Sequence, residues 1–148
     1  MIVIGYQGIG KSTLASKDLK FIDLESSSFF VDGKRDDNWY KIYCNIAERL
    51  SKEGYTVFTS SHEVVRNELK KSSEKVICCV PAINLKDLWI IKLAKRYKKS
   101  NLEKDYKAYM NAKCCYEKNI KEIMDSGFKN IVITNMDYDL SKLISYEL

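Results

Sequence analysis

Residues 1–13 read Met1-Ile2-Val3-Ile4-Gly5-Tyr6-Gln7-Gly8-Ile9-Gly10-Lys11-Ser12-Thr13, and this stretch decides the fold. The apolar run at its start predicts a buried strand. The pattern that follows, Gly5-x-x-x-x-Gly10-Lys11-Ser12, is typical of a loop that binds phosphate groups between a strand and a helix. Its glycines allow tight turns that direct backbone N–H groups toward an anion, and the N-terminus of the helix adds partial positive charge.

The two residues after the last glycine of this pattern predict the chemistry of the ligand. The Lys11 ammonium would reach the β- and γ-phosphates of a nucleotide, and the Ser12 hydroxyl would complete the coordination of a Mg²⁺ ion. A chance match is the alternative, but a random chain of this length would contain the pattern in well under about one case in a hundred. The motif therefore predicts nucleotide binding, and it leaves kinase, nucleotide hydrolase and switch protein open.

Length and composition predict the broad class of the protein. The chain has 148 residues, of which 45% are hydrophobic and 30% charged, and these values are typical of one globular domain with its own core. Its apolar runs are too short for a membrane span, and the run before the glycine loop does not resemble a signal peptide. We therefore expect a single domain over residues 1–148, a cytoplasmic location and no membrane partner.

The five cysteines are Cys44, the pair Cys78-Cys79 and the pair Cys114-Cys115. None of them shows the C-x-x-C spacing of zinc or thioredoxin-type sites. Because they lie within apolar strand or helix patterns, we expect reduced thiols that pack like small hydrophobic side chains.

The net charge of +5 is concentrated in one segment. Residues 86–107 contain eight Lys or Arg residues and three Asp or Glu residues, an excess of five that accounts for the whole surplus. A basic segment suits a phosphate-rich ligand, and a solvated helix face is the alternative.

Apolar runs and helical stripes alternate along the rest of the chain. Further strands are predicted at residues 21–25, 55–61, 75–81 and 130–134. Helices are predicted at residues 12–18, 36 or 37 to 52, 63–71, 84–97, 103–125, and from 137 or 139 through 144. The predicted N-caps are Asp36 or Asp37, Asn84, and Asp137 or Asp139. This alternation predicts an α/β fold with three layers, in which a five-stranded parallel sheet is covered by helices on both faces.

Right-handed crossovers between parallel strands place all strand-to-helix loops at one edge of the sheet, where ligands bind. The residues that follow each strand are therefore the candidate site. They are the glycine loop, Asp23 and Glu25, Ser60, Ser61 and His62 with Arg66, Lys92 and Arg96, and Asn135 and Asp137.

The layout of the whole chain resembles the nucleoside monophosphate kinase-like group of P-loop kinases, which includes adenylate, shikimate and gluconate kinases. Only the first motif is highly specific for this group. The resemblance implies a P-loop fold of the small bacterial or phage type, a short helical lid near residues 86–107, and ATP and Mg²⁺ as cofactors. The ATP-binding residues that it implies are Gly8, Ile9, Gly10, Lys11, Ser12 and Thr13.

Three later motifs carry the rest of the resemblance. Asp23-Leu24-Glu25 resembles the D-x-D of shikimate kinases, which lies near Mg²⁺ and the acceptor. Ser60-Ser61-His62 with Arg66 resembles the pattern that follows the third strand of gluconate kinases. Trp89-x-x-Lys92-x-x-x-Arg96 resembles the helix that leads into the lid, whose Arg grips the transferring phosphate.

We predict Lys11, Asp23 and Arg96 as catalytic residues. Lys11, Arg96 and a Mg²⁺ ion held by Ser12 and Asp23 would neutralise charge on the γ-phosphoryl group. Asp23 would orient or deprotonate an acceptor hydroxyl, or hold a metal-bound water, whereas a phosphate acceptor would need no strong base. The predicted substrate-binding residues are Glu25, Ser61, His62, Arg66 and Lys92.

Several of these residues also have a structural interpretation. Asp23 and Glu25 could be polar residues at a strand end, because loops are polar. His62 could serve structure alone, as a single histidine often does. Arg96 could lie along the surface of the lid without contacting substrate.

Two further side chains allow either interpretation. Arg66 could bind the acceptor or form an ion pair with Glu63 on the same helix. Trp39 lies in a helical stripe with Tyr43, which is typical of a core, but Trp39 and Tyr40 could also line a pocket for an acceptor base.

Two features depart from the pattern of the kinase group. The third strand ends in Thr59-Ser60-Ser61 and so lacks the Asp of an ordinary Walker B motif. The acceptor-recognition sequences of adenylate, thymidylate and shikimate kinases are also absent. The resemblance therefore implies the class of reaction and leaves the acceptor open.

The predicted function is an ATP-dependent kinase that transfers the γ-phosphate to a small acceptor, with a (deoxy)nucleoside monophosphate favoured. One alternative is a regulatory module that binds ATP without transferring phosphate, suggested by the missing Walker B Asp. Another is a kinase of polynucleotide ends, suggested by the basic segment. Because that segment is one short stretch and no extended track, nucleic acid is not the expected partner. The chain is expected to be a monomer or a homodimer.

Overall fold

The computed structural model describes all residues from Met1 to Leu148 and contains five strands and six α-helices. The strands are Ile2–Gly5 (β1), Phe21–Asp23 (β2), Thr56–Thr59 (β3), Val76–Pro81 (β4) and Lys129–Ile133 (β5). The helices are Lys11–Lys17 (α1), Trp39–Lys52 (α2), Glu63–Leu69 (α3), Lys86–Ser100 (α4), Glu103–Met124 (α5) and Leu140–Ser145 (α6). None of these helices combines the length and the apolar character that crossing a lipid bilayer requires.

The five strands form one parallel sheet in the order β2-β3-β1-β4-β5. In the register of the sheet, Ile4 of β1 pairs with Thr59 of β3 on one side and with Cys78 of β4 on the other. β1 and β3 are buried along their whole length, as strands are when helices cover both faces of a sheet. The predicted α/β fold with a five-stranded parallel sheet is therefore confirmed.

The strand order determines which loops become neighbours. β1 lies between β3 and β4, and the chain crosses the sheet in one direction from β1 to β2 and in the other direction from β2 onward to β5. The glycine loop after β1 therefore lies between the loops that follow β3 and β4. These loops share the carboxyl edge of the sheet, where parallel α/β proteins bind ligands.

Several predicted element boundaries are wrong by a few residues. β2 ends at Asp23, two residues before the predicted end, because the chain turns there into a short 3₁₀ helix. α2 begins at Trp39, since the Asp36 carboxylate accepts a hydrogen bond from the Asn38 N–H (2.8 Å) in a turn and does not cap the helix. Asn84 is not an N-cap either, because it lies inside a second 3₁₀ turn that precedes α4.

Other features of the helices agree with the sequence. Asp139 is the N-cap of α6, because its carboxylate accepts a hydrogen bond from the Lys142 N–H (3.2 Å). α5 begins at the predicted residue and ends one residue early. Trp39 and Tyr43 are buried, in agreement with the predicted core stripe of α2.

The cysteines fall into two groups. Cys44, Cys78 and Cys79 are free and buried, as predicted, and burial raises the pKa of Cys44 and Cys79 to about 12. The prediction of reduced thiols is wrong for the remaining pair, because Cys114 and Cys115 are joined to each other by a disulfide. Successive side chains of a regular helix point in different directions. Accordingly, the backbone at Cys115 (φ −140°, ψ 21°) departs from helical values inside α5.

The predicted lid is a helical hairpin whose base belongs to the core. α4 and α5 are joined by a short turn and pack against each other, and Trp89 and Leu93 of α4 are completely buried. Residues 101–104 at the tip of the hairpin are exposed. A movable flap would therefore be limited to this tip.

The Tyr43 hydroxyl joins the ends of two neighbouring strands. It donates a hydrogen bond to the Leu24 carbonyl after β2 (2.6 Å) and accepts one from the Ser60 N–H after β3 (2.8 Å). Burial raises the pKa of this phenol, so the hydroxyl keeps the proton that it donates. Tyr43 thereby fixes the spacing between the loops that carry Asp23 and His62.

Replacing Tyr43 by Phe should lower the free energy of unfolding by about 1–3 kcal/mol, because the Leu24 carbonyl and the Ser60 N–H lose their shared partner. Denaturant titration followed by circular dichroism measures the change. Tyr40→Phe on the same helix is the matched control, and it should change the free energy of unfolding by less than about 0.5 kcal/mol. Equal stability of the two variants would show that the Tyr43 hydroxyl does not join the strands.

Candidate active site

Side-chain donors hold the glycine loop between β1 and α1 through its carbonyl groups. Three of these carbonyls accept hydrogen bonds from side chains in three separate segments. The pairs are Lys11 Nζ to the Gly5 carbonyl (3.0 Å), Trp89 Nε1 to the Gln7 carbonyl (2.9 Å), and the Tyr138 hydroxyl to the Ile9 carbonyl (2.8 Å). Because peptide carbonyls away from water need a donor, these side chains determine the conformation of the loop.

The N–H groups at the end of the loop have no acceptor in the protein. Those of residues 10–13 donate no hydrogen bond, as is usual for the first turn of a helix. Gly8 and Gly10 have φ values of +84° and +99°, which favour glycine. A Cβ atom at Gly8 would also lie 2.9 Å from the Leu93 side chain. The loop therefore depends on its glycines and presents a row of free donors.

The Lys11 ammonium is partly buried next to the carbonyl at the start of the loop. Burial lowers its pKa, the carboxylates of Asp23 and Glu25 act in the opposite direction, and the charge of Arg96 adds to the lowering. These charges therefore lie within electrostatic range of the ammonium. An ammonium group has three N–H donors, and the Gly5 carbonyl is the only acceptor it has here. The site can thus accommodate further acceptor oxygens beside Lys11.

Asp23 supplies the acidic side chain that β3 lacks. The Ser12 hydroxyl donates a hydrogen bond to Asp23 Oδ2 (2.6 Å). At the end of β3, Thr59 is completely buried, and its hydroxyl has no hydrogen-bond partner. The carboxylate next to the glycine loop therefore comes from β2, one strand farther from β1.

Ser12 and Asp23 fit a magnesium ion. Mg²⁺ is usually held by one or two protein oxygens together with phosphate oxygens and water. A hydroxyl and a carboxylate oxygen 2.6 Å apart supply two such oxygens at the start of α1. No group of three or more His, Cys, Asp or Glu side chains forms a metal site from protein ligands alone.

Glu25 is joined to the tip of the helical hairpin. Its carboxylate lies 3.4 Å from Lys104 Nζ, and the two side chains are 40% and 45% exposed. An ion pair between such exposed groups contributes about 0–1 kcal/mol. The contact therefore links the end of β2 to the start of α5 weakly enough to open when a ligand binds.

Lys92 lies on the outer side of the glycine loop. Its ammonium donates a hydrogen bond to the Tyr138 hydroxyl (2.8 Å) and lies 4.5 Å from the centroid of the Trp89 ring. The Trp89 and Tyr138 rings stack on each other with centroids 6.0 Å apart. Lys92 thus supports the side chains that hold the loop, and its contact with substrate stays a prediction.

Arg96 is positioned by an acidic side chain that the sequence did not reveal. Arg96 Nη2 lies 2.7 Å from a carboxylate oxygen of Asp105, which is only 3% exposed. The Ser100 hydroxyl donates a hydrogen bond to the other Asp105 oxygen (2.5 Å). Arg96 itself is 41% exposed. Its guanidinium is therefore anchored on one side and open to solvent on the other.

The loop after β3 brings together the other predicted substrate-binding residues. Arg66 is buried, and its Nη1 donates a hydrogen bond to the Ser61 carbonyl (2.9 Å). The alternative ion pair between Arg66 and Glu63 does not form. His62 Nδ1 lies 2.9 Å from the Ser60 hydroxyl. The structure thus places Ser61, His62 and Arg66 side by side at the carboxyl edge.

Three cations act on His62. Burial lowers the pKa of its imidazole, and the charges of Arg35, Lys11 and Arg66 lower it further. The imidazole is therefore neutral near pH 7. A neutral ring close to three cations leaves this part of the site positive.

Arg35, Asp105 and Tyr138 are the site residues that sequence reasoning missed. The Arg35 guanidinium carbon lies 4.1 Å from the centroid of the Trp39 ring, and the other two side chains hold Arg96 and the glycine loop. Tyr138 is 129 residues from Ile9, Asp105 lies on the helix after the one that carries Arg96, and Arg35 precedes α2, so no single local motif includes them. The only usable signal was the basic pair Lys34-Arg35 in the loop before α2.

A cleft of about 310 Å³ lies beside the end of β5. Asn135 and Asp137, which the sequence placed at the carboxyl edge, line this cleft. It includes neither Lys11 nor Asp23, and it adjoins the glycine loop through Tyr138. The structure therefore separates Asn135 and Asp137 from the rest of the predicted site.

Comparison with the models of known protein families finds no family that matches this chain, and comparison with curated proteins finds no similar sequence. The likeness to P-loop kinases therefore rests on the residues themselves. The class that the fold and the site define is a parallel α/β protein with a Gly-Lys-Ser loop at the carboxyl edge of its sheet.

His62 is the only histidine, so NMR can follow its titration as a single ring resonance. The midpoint should lie below the value of about 6.5 for a free histidine, because burial and nearby cations disfavour the protonated ring. Arg35→Met removes one positive charge and should raise the midpoint. Arg49→Met, at an exposed position of α2, is the matched control and should leave it unchanged. An identical midpoint in both variants would place the Arg35 charge too far from His62 to affect it.

Proposed function

We propose that this chain is an ATP-dependent kinase that transfers the γ-phosphoryl group to a small acceptor, with a nucleoside monophosphate as the favoured acceptor. One observation supports this above the others. The same edge of the sheet carries a loop with free N–H donors beside Lys11 and, after the neighbouring strand, a second cationic cluster around His62. Nucleotide binding alone needs only the loop, whereas transfer needs a second group of binding residues next to it.

The glycine loop would hold the phosphates of the donor. The N–H groups of residues 10–13 and the Lys11 ammonium would donate hydrogen bonds to phosphate oxygens. Mg²⁺ bound by Ser12 and Asp23 would supply further neutralisation of the phosphate charge. Because α1 has only seven residues, the local N–H groups and Lys11 are more important here than a long helix dipole.

Asp23 would orient the reacting groups. One of its oxygens holds the Ser12 hydroxyl (2.6 Å), and the other can accept a hydrogen bond from an acceptor hydroxyl or from a metal-bound water. An acceptor phosphate is already ionised at neutral pH, so a strong base is not required for it. Asp23 thus serves as an orienting group for either kind of acceptor.

Arg96 would stabilise the charge on the transferred group. Its guanidinium can donate to a phosphate oxygen with its open side while Asp105 holds the other side. Loss of an arginine with this role lowers the rate on the order of a thousandfold. Asp105 is a positioning residue in this proposal, because it contacts Arg96 and not the reacting atoms.

The two other functions have weaker support. The regulatory module was suggested by the missing acidic residue on β3, and Asp23 on β2 offers an acidic side chain beside Ser12. The polynucleotide kinase was suggested by the basic segment, but four of its eight cations are already in ion pairs. These four are Lys86, Arg96, Lys104 and Lys107. Binding that weakens steeply with added salt would favour a polynucleotide.

Transfer of a labelled γ-phosphate to a panel of nucleoside monophosphates and small alcohols tests the proposal. Asp23→Asn should lower the turnover rate about 10- to 100-fold with a smaller change in ATP affinity, because an amide orients Ser12 and the metal poorly. Asp125→Asn is the matched control, since Asp125 is exposed at the end of α5 and forms no ion pair. Tight ATP binding without transfer to any acceptor would support the regulatory module instead.

The contact of the loop with phosphate can be tested by adding a single methyl group. Gly8→Ala should weaken the binding of Mg-ATP at least about tenfold, because the new Cβ would displace the loop from Leu93 and Trp89. Gly33→Ala is the matched control, since Gly33 also has a positive φ (+76°) but no atom within 4 Å of the new Cβ. Calorimetry measures both affinities. An unchanged affinity in Gly8→Ala would mean that ATP binds elsewhere.

A further inference from the structure

Arg35 is a cation without an acidic partner. Its guanidinium carbon lies 4.5 Å from the centroid of the Phe30 ring and 4.1 Å from that of the Trp39 ring. Stacking on aromatic rings uses the faces of the guanidinium and leaves its in-plane N–H donors available. No ion pair in the protein uses these donors, whereas Arg96 is paired with Asp105. The two rings therefore hold Arg35 in place with its donors free.

Arg66 is a second cation that lacks an anion. It is only 8% exposed, and its one hydrogen-bond acceptor is the Ser61 carbonyl. Burying a guanidinium costs free energy unless an anion accompanies it. A buried Arg66 with one neutral acceptor is therefore expected where a ligand supplies the missing negative charge.

His62 connects the two arginines. Its ring packs edge-to-face against Trp39, with centroids 5.5 Å apart, and Trp39 is the ring on which Arg35 stacks. Arg66 lies one helical turn after His62, and its N–H bonds to the His62 carbonyl. Trp39 thus links Arg35 to His62, and the hydrogen bond of the Arg66 guanidinium to the Ser61 carbonyl places it beside His62, so the three side chains form one group after β3.

The charge of this region matches a phosphate monoester. Such a group carries about −1.5 to −2 charges near pH 7 and has three acceptor oxygens, enough to balance two guanidinium groups. A carboxylate has one negative charge and two oxygens, so it would leave one guanidinium without an anion. An uncharged alcohol would leave both guanidinium groups without an anion.

We propose that Arg35, His62 and Arg66 form the acceptor subsite and that the acceptor is a phosphate monoester. This inference rests on the proposed function, because the glycine loop must hold the donor. An oxygen of the acceptor phosphate forms a bond to the γ-phosphorus of ATP, the bond from that phosphorus to the bridging oxygen breaks, and ADP leaves with the electron pair. The attacking oxygen is already ionised, so no proton has to be removed. Arg35 thereby selects acceptors that carry a phosphate group.

The single histidine reports on this subsite. The donor loop is first filled with Mg²⁺ and β,γ-methylene-ATP, which cannot transfer its terminal phosphoryl group. Nucleoside 5′-monophosphates and sugar phosphates are then titrated while the His62 resonances are recorded by NMR. Binding should shift these resonances and raise the midpoint of the His62 titration, because a nearby anion favours the protonated ring.

Variants and analogues identify the group that is recognised. Arg35→Met should weaken the binding of the tightest phosphate monoester about 10- to 100-fold, and Arg49→Met should leave it unchanged. Arg35→Lys keeps the charge but loses the planar fork, so its affinity should lie between those of the wild type and Arg35→Met. The uncharged nucleoside and the nucleoside 5′-carboxylate should both bind more weakly than the 5′-monophosphate.

Three results would overturn the subsite while leaving the proposed function standing. The first is an affinity of Arg35→Met within about twofold of that of Arg49→Met. The second is equal binding of the 5′-carboxylate or the uncharged nucleoside. The third is the absence of any His62 shift although calorimetry shows that β,γ-methylene-ATP is bound. Failure of β,γ-methylene-ATP itself to bind would instead overturn the proposed function.

Discussion

The orientation of the peptide groups in the glycine loop is the constraint on which the rest of the structure depends. Carbonyls that face away from a ligand need donors elsewhere, because an unpaired buried peptide group costs about 1–3 kcal/mol. Trp89 and Tyr138 supply these donors from α4 and from the segment before α6. Trp89 is completely buried, so the loop takes its rigidity from the core. Its N–H groups are therefore preorganised for an anion before any ligand arrives.

The strand order explains how one edge of the sheet can hold both halves of the proposed transfer site. β3 lies between β1 and β2, and neighbouring strands are about 4.8 Å apart. α1 links β1 to β2 and so passes the end of β3, which brings the Ser12 hydroxyl within 2.6 Å of Asp23 although their strands are not neighbours. The loop after β3, with His62, is therefore flanked by the glycine loop on one side and by the acidic residue on the other. Tyr43 maintains this spacing, because its hydroxyl bonds the backbone after both β2 and β3.

The fold and the centre of the site could be predicted because both follow from local patterns. The glycine motif occupies a few consecutive residues, and Asp23 follows from the rule that ligands bind beyond the carboxyl ends of parallel strands. Arg35 and Asp105 could not be predicted in this way, because their roles depend on aromatic rings and a guanidinium that only tertiary packing brings near them. The cysteine prediction failed for Cys114 and Cys115 because helical periodicity carries no information about a bond between two adjacent side chains. Asparagine is a common N-cap residue, but Asn84 lies inside a 3₁₀ turn and α4 begins only after that turn.

The distribution of charge connects this arrangement to the proposed reaction. The carboxylates of Asp23 and Glu25 offset the charge of Lys11 in part. Without a ligand, Arg35, Lys11 and Arg66 still lie close enough to His62 to add to the lowering of its pKa by desolvation, so these three cations repel one another. An anion bound among them removes that repulsion, and burial strengthens each interaction because water screens it less. A neutral ligand would bring no such gain. Asp23 is the last residue of β2 and Glu25 follows two residues later, and their carboxylates are engaged by Ser12 and Lys104. The region between them and the glycine loop is therefore positive in the free protein, and a phosphate-bearing acceptor is the kind of molecule that would neutralise it.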